Sequence, residues 1–157
     1  MTREEKFMLE AIRYSMHGMQ NNEGGPFGCI VVKGDEIVGR GNNKVTSTND
    51  PTAHAEVGAI RDACNSLKQF HLPEAIIYAT SEPCPMCLSA IYWANIKTVY
   101  YCTDKYQVEE IGFSDKFIYD ELALPKEERA LHIDRINLPE GIDLFHEWMT
   151  KGDKTEY

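Results

Sequence analysis

The chain has 157 residues, 43% of them apolar and 26% charged, with 25 acidic against 16 basic residues and a formal net charge of −9. That composition suits one folded domain burying roughly 70% of its unfolded surface and excludes a disordered or low-complexity polymer. The acidic balance, with no basic run, disfavours a phosphate backbone as partner, and no apolar run reaches the roughly 18 residues of a membrane span.

The opening MTREEKFMLE has neither the basic nor the apolar segment of a secretory signal. The expectation is a cytoplasmic protein with no nucleic-acid or membrane partner. Cysteines number five (Cys29, Cys64, Cys84, Cys87 and Cys102). In a reducing compartment, a C-x-x-C pair serves metal or redox chemistry more often than a structural bridge.

Residues 3 to 19 place Phe7, Leu9, Ala11, Ile12, Tyr14 and Met16 at helical spacing, with acids in the first turn and Gly18 near the end. Two apolar runs follow, Phe27 to Val32 and Glu36 to Val38, joined by Gly34-Asp35, which reads as a hairpin. A second helix is expected from the stretch TNDPTAHAEVGAIRDACNSLKQF, capped by Asp50 or Thr52, with Ala53, Val57, Ile60, Cys64 and Leu67 as its buried face. EAIIYATS reads as a buried strand leading into EPCPMCLSAIYWANI. There Pro85 suits a first helical position, and Leu88, Ile91, Tyr92 and Ile96 continue a stripe. KTVYYCT predicts a strand, QVEEIG a short helix, ALHIDRIN a last strand and EGIDLFHEWMTK a last helix. That alternation is the order of a layered α/β domain whose later strands can pair in parallel.

Two helix starts carry chemistry. PTAHAE supplies His54 and Glu56, and EPCPMC supplies Cys84 and Cys87, separated by one helix and one strand. Unpaired N–H groups and a partial positive charge at a helix start stabilise thiolate. A structural zinc site fills all four tetrahedral positions with protein groups; His54, Cys84 and Cys87 give three, leaving one for water. Zinc lowers the pKa of a bound water to about 7, and Glu56 is placed in sequence to take its proton and pass it on. His54, Glu56, Pro83, Cys84 and Cys87 match, in order, the H-x-E and P-C-x-x-C signature of zinc-dependent nucleobase deaminases.

Other readings weigh against this one. A redox dithiol explains the cysteines but leaves His54 and Glu56 without work. A closed zinc site needs a fourth protein ligand, for which Cys64 and Cys102 are the candidates. The remaining histidines, His17, His71, His132 and His146, read as surface or core residues.

Along almost its whole length the chain resembles the cytidine deaminase-like superfamily. GGPFG (24–28), NDPTAHAE (49–56), EPCPMC (82–87) and AIYWA (90–94) are shared with its tRNA adenosine, cytosine and riboflavin-pathway deaminases. GFSDKFIYDEL (112–122) and the terminal KTEY (154–157) are similar to the bacterial guanine deaminase branch.

The resemblance implies one domain over residues 1–157, a three-layer α/β/α fold around a central mixed five-stranded sheet with an N-terminal hairpin. It implies a homodimer in which the segment from about residue 138 to 157 is swapped onto the partner. It assigns Zn2+ to His54, Cys84 and Cys87, the proton shuttle to Glu56, and substrate contacts to Phe27, Asn43, Ala55, Asp115 and Tyr157, the last closing the partner's pocket.

The implied reaction is hydrolytic deamination of guanine to xanthine and ammonia, with a zinc-bound hydroxide attacking carbon 2 while Glu56 protonates the ring and then the departing amine. A buried Asp115 would accept from the ring N–H and exocyclic amine of guanine, and a base lacking those donors would leave it unpaired. Asn43 can donate and accept, suiting the carbonyl at carbon 6 and a ring nitrogen. The alternatives, in order, are a guanosine deaminase, a tRNA adenosine or cytosine deaminase, and a non-catalytic zinc module.

Overall fold

Helix α1 (Arg3–Gln20) starts at a capping box in which Thr2 and Glu5 satisfy each other's backbone N–H groups. It opens a computed structural model that describes residues 1–157 and divides into two compact units, Met1–Tyr119 and Asp120–Tyr157.

In the first unit, strands β1 (Gly28–Lys33), β2 (Glu36–Asn42), β3 (Ala75–Ser81) and β4 (Thr98–Thr103) form one mixed sheet in the order β2-β1-β3-β4. β1 runs antiparallel to both β2 and β3, whereas β3 and β4 are parallel. Helices α2 (Val45–Thr48), α3 (Ala55–Leu67), α4 (Pro85–Trp93), α5 (Lys105–Glu110) and α6 (Asp115–Ala123) complete the unit, the end of α6 running past its boundary.

The middle strands are buried on both faces, so their apolar residues are continuous and still alternate in direction. Cys29 and Val31 of β1, with Ile77 and Ala79 of β3, pack against α3 and α4. Ile30 and Val32, with Tyr78, face α1 through Ala11, Phe7 and Met8. Helix, sheet and helix make three layers, as expected.

The sheet has four strands, where five were expected. The expected fifth, ALHIDRIN (130–137), forms no ladder, and Leu131, Ile133 and Ile136 are exposed. Its alternation breaks after Ile133, because Arg135 stands where the next apolar residue belongs. Asp134 instead accepts from the Arg135 backbone N–H at 2.8 Å, a local bond that competes with strand pairing.

Helix α3 also begins later than its expected caps. His54 is the N-cap residue; Asp50 instead accepts from the backbone and hydroxyl of Thr52 at 2.8 and 2.7 Å. Its most buried stripe is Ala55, Ala59 and Ala63, with Ile60, Cys64 and Leu67 flanking it. Small residues are needed there because β2 lies close: a Cβ on Gly41 would stand 2.0 Å from the Ala55 carbonyl. On α4, Ile91 is buried as expected, and Tyr92 is exposed.

The second unit holds the end of α6, a 3₁₀ turn at Lys126–Glu128 and α7 (Glu140–Thr150), and none of its residues is fully buried. In α7, Ile142, Phe145, Trp148 and Met149 fall on one helical stripe and are exposed. No helix of the chain is long and apolar enough to cross a membrane.

Candidate metal centre and active site

The sheet register gathers the site. Gly28 pairs with Asn42 and Cys29 with Ala79, so Phe27, Asn43 and Ser81 stand at the same end of the sheet. Helices α3 and α4 begin at that end, and their N-cap residues are His54 and Cys84, neither making a side-chain cap bond. An N-cap normally carries Ser, Thr, Asp or Asn. Here the positions hold donor atoms for something else, and the free helix N–H groups favour negative charge beside them. Pro85 occupies the first turn of α4, where its missing N–H costs nothing.

His54 Nδ1 lies 3.5 Å from the sulfur of Cys84 and 3.5 Å from that of Cys87. The three ligand atoms lie within 4.8 Å of one another. A tetrahedron with zinc–sulfur bonds of about 2.3 Å and a zinc–nitrogen bond of about 2.0 Å has a nitrogen-to-sulfur edge of roughly 3.5 Å. The donor set and its spacing therefore fit Zn2+. All five cysteines are free, and neither Cys64 nor Cys102 joins the cluster, so it offers three protein ligands.

The charges on this cluster are linked. The Cys87 S–H and then His54 hold Cys84 well below the usual thiol range. Sharing with Cys84, and then burial, push Cys87 above it. His54 is raised, first by its bond to Cys84. The lowered Cys84 gives the cluster thiolate character, the form in which cysteine binds a metal ion.

Glu56, in the first turn of α3, is only 8% exposed. Burial pushes its carboxyl up to about 7, against its own backbone N–H, and the nearby Cys84 charge adds to the rise. It lines a cavity of about 630 Å³ together with His54, Cys84, Phe27, Asn43, Glu82, Phe113 and Asp115. Every residue lining that cavity belongs to the first unit.

Among the expected substrate contacts, Phe27, Asn43 and Asp115 reach this cavity. Burial raises Asp115 most, with a further push from Cys84. Ala55 is buried with its carbonyl over Gly41, and its neighbours His54 and Glu56 form the wall. Tyr157 is an exposed residue of the second unit.

Asn43 is more committed than its residue type suggests. Its Oδ1 accepts from the backbone N–H of Gly25 at 3.2 Å and of Val45 at 3.1 Å. Two converging donors fix the oxygen as the atom at that position, so Asn43 offers only its N–H donors to a ligand. The expectation that it both donates and accepts is corrected. Gly24 makes this possible: a Cβ there would stand 2.3 Å from Asn43 Oδ1.

Three contributors were missed. Phe113 packs edge-on against Phe27, with ring centroids 4.8 Å apart at 84°. Glu82, directly before the thiolate turn, accepts from the Lys105 backbone N–H at 2.9 Å and keeps Lys105 Nζ 3.9 Å away. Tyr119 donates its hydroxyl to the Pro83 carbonyl at 2.6 Å. All three lie inside the motifs already read, Phe113 and Tyr119 in GFSDKFIYDEL and Glu82 directly before Pro83 in EPCPMC.

Residues 1–103 match the model of the cytidine and deoxycytidylate deaminase zinc-binding region. Guanine deaminase of Bacillus subtilis is 44% identical over 98% of each chain, and its X-ray structure superposes with a TM-score of 0.93. Guanine deaminase of Nitrosomonas europaea, at 25% identity, gives a TM-score of 0.66 over 69% of this chain and 63% of that one. The tRNA-specific adenosine deaminase of Agrobacterium fabrum is 45% identical over 48% of this chain and 50% of its own. A nitrogen-and-two-sulfur cluster at two helix starts, a buried Glu56 beside it and a family match spanning both place this chain in the cytidine and deoxycytidylate deaminase zinc-binding family.

Proposed function

We propose that the chain hydrolyses guanine to xanthine and ammonia. The observation that carries this reading is the meeting of Glu56, Asn43 and Asp115 with the His54, Cys84 and Cys87 cluster in one cavity, in a chain similar over 98% of its length to a guanine deaminase.

When bound, Zn2+ supplies a positive charge that brings the pKa of a water to about 7 and holds Glu56 ionised despite its burial. Glu56 then takes one proton from the water and gives it to a purine ring nitrogen, and takes the second from the newly added hydroxyl and gives it to the departing amine, so ammonia leaves neutral. Asp115 accepts from the N–H and amine of guanine, and Asn43 donates to its carbonyl or a ring nitrogen. Together they choose a base with donors on one edge and acceptors on another. Phe27 and Phe113 give the base an apolar wall that keeps water from competing.

The test is a panel of guanine, guanosine, adenine, cytosine and a tRNA anticodon stem offered to the zinc-loaded chain. Ammonia release from guanine alone supports the reading. Turnover of another member without guanine rejects this substrate and names its replacement.

The working form proposed is a cytoplasmic homodimer in which residues 138–157 dock on the second copy, so that Tyr157 closes the partner's cavity. The exposed stripe of Ile142, Phe145, Trp148 and Met149 supports it, because an apolar face of this kind needs cover. Removing Tyr157 should leave the dimer intact in light scattering and lower guanine turnover. Full activity after the deletion would end that role.

A further inference from the structure

Helix α6 carries Asp115 into the cavity, yet none of its residues is buried. Phe117, Ile118 and Leu122, its large apolar residues, are 54%, 42% and 55% exposed. A nine-residue helix without a buried stripe draws little stability from packing or from its own propensity, so its position must come from specific contacts. Asp115 and Tyr119 are four residues apart and share one face. From that face the Tyr119 hydroxyl donates 2.6 Å to the carbonyl of Pro83, the residue before the ligand Cys84.

The ring of Tyr119 is held in turn. Lys105 Nζ stands 4.7 Å over its centroid and 3.9 Å from Glu82 Oε1, and the Lys105 backbone N–H donates to Glu82 Oε2 at 2.9 Å. Glu82 and Pro83 are consecutive, so the acid that fixes the lysine and the carbonyl that receives the phenol belong to one short turn. Glu82, Lys105, Tyr119 and Pro83 close a ring of contacts tying α5 and α6 to the turn that presents the thiolates.

We propose that Tyr119 is a positioning residue: it latches α6 to the thiolate turn and thereby keeps Asp115 facing the base. The latch rests on the guanine reading for its effect on turnover and stands apart from it as a property of α6. The phenol touches no reacting atom; it acts through the helix that carries Asp115.

Tyr119→Phe keeps the ring and the lysine contact and removes only the O–H. In hydrogen–deuterium exchange of the zinc-loaded chain, amides of 115–123 should exchange about tenfold faster, the loss expected for one hydrogen bond, while those of 86–93 stay unchanged. KM for guanine should rise about tenfold with kcat changed less than about threefold and zinc content unaltered. In an Asp115→Asn background, Tyr119→Phe should cost no further activity, because the position it guards no longer matters.

Unchanged exchange in α6, loss of zinc, or a full additional loss on top of Asp115→Asn would each overturn the proposal. The exchange measurement needs no turnover. If the parent chain ignores guanine while Tyr119→Phe still frees α6, the substrate reading has failed and the latch has not.

Discussion

The two units of this chain are built by different rules. Met1–Tyr119 holds every fully buried residue of the chain, including Cys29 to Val32 and Ile77 to Ala79, packed from both sides by helices. Asp120–Tyr157 buries none, and its helix α7 keeps Ile142, Phe145, Trp148 and Met149 in view of solvent. A site needing ligand atoms at fixed separations is found in the part with a core, since rigid elements hold such positions better than exposed segments do. The second unit has the amphipathic pattern of a docking element, which is why its contribution is proposed through a second copy.

The largest effect that sharpens this contrast lies in the first unit. Cys84→Ser should abolish stoichiometric zinc binding and cut ammonia release by at least about a thousandfold, as read by metal analysis beside a coupled assay; removing the metal with a chelator should do the same to the parent chain. Asn43→Asp comes next. It keeps the oxygen that holds Gly25 and Val45 and removes the N–H donors, so KM for guanine should rise about 10- to 100-fold with thermal stability nearly unchanged.

Gly41→Ala tests the scaffold itself. A methyl 2.0 Å from the Ala55 carbonyl forces α3 off β2, and denaturant unfolding should show a loss of about 1–3 kcal/mol together with weakened zinc binding. The smallest effect belongs to the second unit. Ile133→Ser, at a side chain 43% exposed within the chain, should shift unfolding by about 0.5 kcal/mol or less at concentrations where the protein is monomeric. A large shift there would mean that this segment is buried and that the contrast between the units is drawn in the wrong place.

Much of the first unit was readable because its residues obey short-range rules. Helix α1 forms over the stretch expected, although its buried positions are Ala11, Ser15 and Gly18 and Met16 of the expected stripe is exposed; the hairpin turns at Gly34-Asp35, and Pro85 marks the start of α4. The ligands were readable for the opposite reason: His54 and Cys84 stand at helix starts where ordinary caps belong. Sequence reading failed where tertiary partners decide. The Ala55, Ala59 and Ala63 stripe depends on how closely Gly41 lets β2 approach, which spacing alone does not reveal.

The donor-only state of Asn43 depends on two backbone N–H groups from other segments. The Tyr119 contact spans 36 residues and has no local signature. ALHIDRIN looked like a strand because its first apolar residues alternate, but a strand exists only with a paired edge.

The central claim is that Glu56 moves the proton for a hydrolysis carried out beside the His54, Cys84 and Cys87 cluster. Its most direct test is Glu56→Gln, assayed with guanine while zinc content and far-UV dichroism are followed. The account predicts one zinc per chain, an unchanged fold and ammonia release reduced by roughly 100- to 10,000-fold. Glu56→Gln that releases ammonia at the parent rate with zinc in place would contradict it.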